Sequence, residues 1–188
     1  MRQLQLKELG RKSIEEFAQS DKIPVIAVLD NLRSLNNVGS FFRTADAFAL
    51  EAVYLCGFTG TPPHPEIRKS ALGAEDAVPW KKWGTTAEAV LALKSENTVV
   101  WAVEQTDQSI PLNTLKQFPA QRIALVFGNE VHGVSPEVLS LVDGALEIPQ
   151  EGTKHSLNVS VCAGVVFWKL FELYLFPTDI TLHQISWL

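Results

Sequence analysis

Arg122-Ile-Ala-Leu-Val-Phe-Gly-Asn-Glu-Val-His-Gly-Val-Ser-Pro136 decides the fold, together with Ala145-Leu-Glu-Ile-Pro-Gln-Glu-Gly-Thr-Lys-His-Ser-Leu-Asn-Val-Ser160 soon after it. Each begins with an apolar run of strand length, crosses a polar loop containing glycine, and enters a helix-prone segment. An unbroken apolar run closed by glycine predicts a strand covered on both faces, as in a parallel sheet. Ligands of open α/β sheets sit beyond the carboxyl ends of such strands. The polar residues of these two loops are therefore the first candidates for chemistry. Residues 31–43 form a third junction of the same kind.

Working outward, residues 22–29 read as the first strand, with Pro24 tolerable only near its start. Residues 30–37 read as a polar turn and 38–50 as a helix, with Phe41, Phe42, Ala45 and Phe48 on its apolar side. Residues 52–56 and 98–103 are further strands; 57–65, rich in Gly, Pro and Thr, is a loop. Ser13 and Glu16 have capping-box spacing for a short helix over 14–19, and Thr85-Thr86 caps a helix to about Ser95. Residues 105–119 are loop-rich, and 161–176 form the last long helix, stopped by Pro177. Alternating strands and helices imply a mainly parallel α/β sheet with helices on both faces. The division expected is a short extension over 1–22, one domain over 23–176 and an apolar tail over 177–188.

The chain has 188 residues, 46% of them hydrophobic and 20% charged, which suits one soluble domain of ordinary size. No apolar run approaches the ~20 residues that cross a bilayer, so no membrane partner is expected. The first residues lack the apolar core of a signal peptide, and Cys56 and Cys162 are too few for a disulfide framework. A cytoplasmic protein with reduced thiols is expected. A net charge of −5 argues against strong non-specific binding of nucleic acid but permits a local basic patch.

Three loops carry candidate chemistry. In the first, Asn37 is a helix-capping type, Gly39 allows close backbone approach, and Arg43 follows nearly two turns on. The second holds Glu130 between Gly128 and Gly133, glycines that free the backbone to turn tightly. The third holds Ser156 and Asn158, both good N-cap types, before an apolar helix. Taken singly, each loop is equally well an ordinary cap or turn. No Gly-x-Gly-x-x-Gly follows the first strand, and neither a phosphate loop nor a Gly-x-Ser-x-Gly elbow is present. His64, His132, His155 and His183 lack metal-ligand spacing, so no metal is expected.

In this order the three loops resemble the motifs of the SpoU (TrmH-type) RNA ribose 2′-O-methyltransferases of the SPOUT class. Asn37-x5-Arg43 with Thr44-Ala-Asp46 looks like the first motif. Phe127-Gly-Asn-Glu130-x-x-Gly133-Val-Ser135 looks like the second, and Ile148-Pro149 through Ser156-Leu-Asn158-Val-Ser160 like the third. The resemblance implies a C-terminal deep trefoil knot, a homodimer, S-adenosylmethionine as methyl donor, and tRNA or rRNA as substrate. It implies a cofactor pocket from Leu125, Val126, Phe127, Gly128, Asn129, Gly133, Ile148, Pro149, Ser156 and Leu157. It places Arg43, Asn37, Glu130, Ser156 and Asn158 at the chemistry. A guanidinium keeps its proton at neutral pH, so Arg43 reads better as an electrostatic clamp than as the base.

Only about 22 residues precede the first strand, which leaves RNA contact to the N-terminal basic residues, Arg68-Lys69, and Lys81-Lys82 between Trp80 and Trp83. A packed Trp pair beside solvated lysines is the plainer reading of the last group. The late apolar residues Phe171, Tyr174, Phe176 and Trp187 suit packing across a dimer. Two alternatives stay open: a catalytically inactive RNA- or cofactor-binding module of the same fold, and a nucleotide-dependent transferase. The missing phosphate loop opposes the latter.

Overall fold

A computed structural model describes residues 1–177. After a 3-10 turn over Leu6–Leu9, the chain runs α1 (Ile14–Gln19), β1 (Ile23–Asp30), α2 (Leu35–Ala47), β2 (Leu50–Cys56), α3 (Pro65–Ala71), α4 (Ala74–Ala77) and β3 (Trp80–Trp83). It continues through α5 (Thr86–Ser95), β4 (Val99–Val103), β5 (Ile110–Pro111), a 3-10 turn over Leu112–Thr114, β6 (Ile123–Phe127), α6 (Pro136–Leu139), β7 (Gly144–Glu147) and α7 (Val159–Leu175). The seven strands form one sheet in the order β3-β2-β1-β6-β4-β7-β5, with every pairing parallel.

The unbroken apolar runs are explained by two cores, one on each face. Val25, Ala27, Leu29, Ile123, Leu125 and Phe127 face α2, α3 and α7. The alternate residues Ile26, Val28, Ala124, Val126, Val100 and Ala102 face α5 and α6. A strand buried on both sides has no solvent face to mark with polar residues. Phe127 at the end of β6 meets Phe41 of α2 and Phe167 of α7 edge-on, with ring centroids 5.0 and 5.4 Å away. Such edge contacts add to simple burial and fix where α2 and α7 begin relative to the sheet end.

The expected α1 and α5 form with their caps, Ser13/Glu16 and Thr85/Glu88. Helix α2 starts earlier than residue 38, because Ser34, not Asn37, is its N-cap. Leu50 belongs to β2 rather than to that helix. The segment Trp80–Trp83 is an edge strand; too short and too charged to stand out as one, it is held by parallel pairing of Val53 to Cys56 with it. Trp187 lies outside the described residues.

Candidate active site

The loops leaving β4, β6 and β7 enclose a cavity of about 710 Å³ at the carboxyl edge of the sheet. That is the size range of small-molecule and cofactor sites. Its wall includes Phe127, Gly128, Asn129, Glu130, Gly133, Ile148, Ser156, Leu157 and Asn158, all expected from the sequence. Pro149 is exposed and lies off the wall, between Ile148 and Gln150, which line it. Leu125 and Val126 are not on the wall either. Their side chains are fully buried, one in each core, because strand alternation sends them to the sheet faces rather than past its end.

The β6–α6 loop is built by its own backbone. Asn129 and Gly133 exchange two backbone hydrogen bonds of 3.0 and 2.9 Å. Gly133 has φ +66°, and a Cβ on Gly128 would lie 2.1 Å from the Gly133 carbonyl carbon. Only glycine fits either position. The Asn129 side chain accepts from the N–H groups of Val131 and His132 and donates to the Asn31 carbonyl at 2.7 Å. The loop is thereby tied to the end of β1, and Glu130 is carried toward the start of α2.

There the Glu130 carboxylate accepts three hydrogen bonds. The Arg33 and Ser34 N–H groups donate at 2.9 and 3.0 Å, and the Asn37 side-chain amide at 2.9 Å. A carboxylate only accepts, so the other end of the Asn37 amide must present its oxygen. That oxygen accepts from the Asn158 amide at 3.2 Å and from the Ser160 hydroxyl at 3.4 Å. The Asn158 oxygen in turn caps α7 through the Ser160 and Val161 N–H groups. One polar chain, Glu130–Asn37–Asn158, thus joins the three motif loops. Burial pushes the Glu130 pKa up, but the donors from Arg33, Asn37 and Ser34 outweigh it and leave it below the ordinary value. Ser156, also a cap candidate, lines the cavity and caps nothing.

Arg43 stands apart. Six residues beyond Asn37, it is about 9 Å along α2 and well round the helix from it. It is exposed, with no hydrogen-bond or ion-pair partner among the described residues. Of the expected RNA contacts, Arg68 is paired with Glu75 and Asp76 at 3.4 and 3.1 Å, and Lys69 is exposed. Lys81 lies 3.8 Å over the Trp83 ring, and Lys82 donates to the Gly57 and Thr59 carbonyls.

Three residues that the motifs do not cover also build the site. Glu104, just past β4, accepts from the Val134 and Gln105 N–H groups, and the Gln105 amide donates to the His155 carbonyl at 2.9 Å. Asp30, buried at the end of β1, accepts from the Thr86 hydroxyl and the Ser135 N–H. Their one sequence signal is position: each follows or ends a parallel strand at its carboxyl side. Among the described residues no cluster of His, Cys, Asp and Glu could hold a metal, and no helix is long and apolar enough to cross a membrane.

Residues 24–168 match the SpoU rRNA Methylase family, and the chain belongs to it. It is 32% identical over 168 residues to the 23S rRNA (guanosine-2′-O-)-methyltransferase RlmB of Pasteurella multocida, covering 89% of this chain and 66% of that protein. It is 30% identical over 165 residues to the tRNA (guanosine(18)-2′-O)-methyltransferase of Thermus thermophilus, covering 88% and 81%. The chain thus spans a little under two thirds of the rRNA relative's length. Among solved structures, the A. aeolicus TrmH/SpoU tRNA modifying enzyme superposes with a TM-score of 0.76 at 24% identity, over 86% of this chain and 81% of that one. The AdoMet-bound rRNA methyltransferase of Sinorhizobium meliloti gives 0.73 at 25% identity, over 85% and 60%.

Proposed function

We propose that this protein transfers a methyl group from S-adenosylmethionine to a ribose 2′-hydroxyl of tRNA or rRNA. The observation that carries the reading is the Glu130–Asn37–Asn158 chain at the rim of the 710 Å³ cavity. The relatives named above act on both kinds of RNA. The cavity chemistry agrees. Its wall holds Glu104, Glu130 and Glu147 and neither Lys nor Arg. Such a wall favours a cationic ligand and opposes a nucleotide polyphosphate, which weighs against a nucleotide-dependent transferase. S-adenosylmethionine supplies an electrophilic methyl on a sulfonium.

The residues then divide the work. Glu130 is ionised, its pKa lowered, and already engaged by three donors, so it is a poor proton acceptor. Its role is to hold the start of α2 and the Asn37 amide. Asn158 fixes the start of α7 beside the cavity, and Ser156 and Leu157 close over the ligand. Arg43, exposed and not on the wall of its own cavity, serves that of a second copy, clamping the target phosphate and the developing alkoxide. Exposed Val161, Val165 and Trp168 form an i, i+4, i+7 stripe along α7 that suits the two-fold contact. The C-terminal trefoil threading belongs to the same reading, as does action in the cytoplasm. Arg68, Lys69, Lys81 and Lys82 contribute to RNA contact.

Titration calorimetry with S-adenosylmethionine, light scattering, and ribose-methylation mapping of RNA from a deletion strain test this. One site per chain, a dimer, and a methylation restored by the purified protein are expected. Absence of heat at millimolar ligand would overturn the cofactor assignment. A monomer that methylates RNA would overturn the shared role of Arg43.

A further inference from the structure

The carboxyl ends of neighbouring strands place four loops in a row. In spatial order β6, β1, β2 and β3 are followed by or end in Glu130, Arg33, Phe58 and Trp83. The first belongs to the site described above; the turn that carries Phe58 is not explained by it. Phe58 is 64% exposed. An exposed aromatic is ordinary on a loose loop, but this turn is fixed at nearly every polar atom. The Gly57 N–H donates to the Trp83 carbonyl and the Thr59 N–H to the Cys56 carbonyl. The Phe58 N–H donates to the Asn31 side-chain oxygen at 3.1 Å. The buried Thr59 hydroxyl bridges the Leu29 carbonyl and the Leu32 N–H. Lys82 holds the Gly57 and Thr59 carbonyls at 2.6 and 2.7 Å. Gly57 has φ +58°, and a Cβ there would lie 2.0 Å from the Asn31 oxygen.

The same Asn31 that anchors Phe58 accepts from Asn129 on the cavity wall. Two hydrogen bonds therefore separate the Phe58 backbone from the cofactor site. The surroundings are cationic. The Arg33 guanidinium is exposed and meets no carboxylate among the described residues. Lys81 rests on Trp83, and among the described residues the Lys82 ammonium meets the neutral Gly57 and Thr59 carbonyls and no carboxylate. The nearby Glu88 carboxylate is turned into the cap of α5.

We infer that Phe58 is a stacking platform for an unpaired base of the RNA substrate, next to the nucleotide that is methylated, with Arg33 and Lys82 along the phosphate track. This rests on the methyltransferase reading for the identity of the polymer. Aromatic faces interleaved with cations are the chemistry of single-strand binding, and single-stranded bases are what proteins read in RNA. A rigid turn keeps the ordering cost of stacking low.

Cross-linking tests this without requiring catalysis. Benzoylphenylalanine is placed at residue 58 or, as a control, at exposed Leu91 of α5, and irradiated in cells expressing the full chain. An RNase-sensitive adduct from position 58, absent from 91, is expected. No adduct above the control, or an RNase-resistant protein adduct, would overturn the inference. In steady-state methylation of deletion-strain RNA, Phe58→Ala should raise the RNA KM on the order of tenfold. Phe58→Trp should restore it, and S-adenosylmethionine affinity should not move. Recovery by Phe58→Leu as complete as by Trp would mean mere apolar contact and would also overturn stacking. A wild-type protein without methylation would instead sink the enzymatic reading and leave the cross-link result standing.

Discussion

The N-termini of α5 and α2 solve the same problem in opposite ways. At α5 the Thr85 hydroxyl accepts from the Glu88 N–H and the Glu88 carboxylate from the Thr85 N–H, both at 3.1 Å. Everything needed lies within four residues. At α2 the Ser34 hydroxyl accepts from the Asn37 N–H, but the Arg33 and Ser34 N–H groups go to Glu130, 97 and 96 residues further on. The local solution stabilises a helix and nothing more. The remote one makes the shape of the site depend on three loops meeting, and it sets a carboxylate at the positive end of a helix, where charge is favoured. The α2 end, which borrows acceptors from a distant loop, belongs to the site; the α5 end, which supplies its own, belongs to the scaffold.

The largest effect should come from Arg43, which shares α2 with this network yet lies outside it. Arg43→Lys keeps the charge and loses the planar fork. If Arg43 clamps phosphate and alkoxide, single-turnover methylation should fall on the order of 10²-fold at every pH from 6 to 10. Lysine gives up a proton far more easily than arginine. A variant rate that climbs back to wild type at high pH would therefore make Arg43 a base and end the clamp.

The contrast between the two helix ends also explains what the sequence reveals. The capping boxes of α1 and α5 are legible because donor and acceptor are three residues apart. The buried strands β1 and β6 are legible because both faces are apolar. The bond between Glu130 and Asn37 has no local signature; the family resemblance put both residues at the site but not in contact. Asn37 is a capping residue type, but Ser34 takes that place and frees the Asn37 amide for the network. Glu104, Gln105 and Asp30 belong to no motif, and their partners Val134, His155 and Ser135 lie 30 to 105 residues away in sequence, so no local pattern marks them. The edge strand Trp80–Trp83 was hidden because its lysines face opposite sides and its apolar content is two tryptophans, only one of them half-buried.

An intermediate effect should separate the two helix ends directly. Glu130→Gln replaces one acceptor oxygen by an amide that cannot accept from a backbone N–H. Methylation should drop on the order of tenfold, since hydrogen bonds to a charged group are lost. Thr85→Ala should leave the rate unchanged and cost about 1 kcal/mol of stability. Equal rate losses in the two variants would erase the distinction. The acid side gives the sign. The folded pKa of Glu130 is depressed, so its contribution is present above the unfolded Glu value of about 4.3. It is lost as pH falls through the lower folded value. The stability gap between wild type and Glu130→Gln, measured by denaturant titration, should therefore close in acid and not at alkaline pH.

The smallest effect concerns the third helix end, that of α7. Cys162 lies in its first turns and lines the cavity. A thiol near a helix N-terminus often ionises more easily than a free one. Here the Asn158 oxygen already takes the Ser160 and Val161 N–H groups, and burial, then the charge of Glu104, push the thiol up to about 11. Cys56, fully buried and pushed up to about 12, should stay silent to reagents. Iodoacetamide should thus modify Cys162 on the order of 10²-fold more slowly at pH 7.5 than a free thiol of pKa about 8.5. The rate should rise steadily as pH approaches 11, and S-adenosylmethionine should slow it further by filling the cavity. Cys162→Ala should change methylation by less than about twofold, because a protonated thiol on the wall supplies neither charge nor nucleophile. Mass spectrometry of the alkylated protein gives the profile. A thiol that reacts fastest near neutrality would show that the end of α7 still projects its field past Asn158, and would join that helix end to the chemistry.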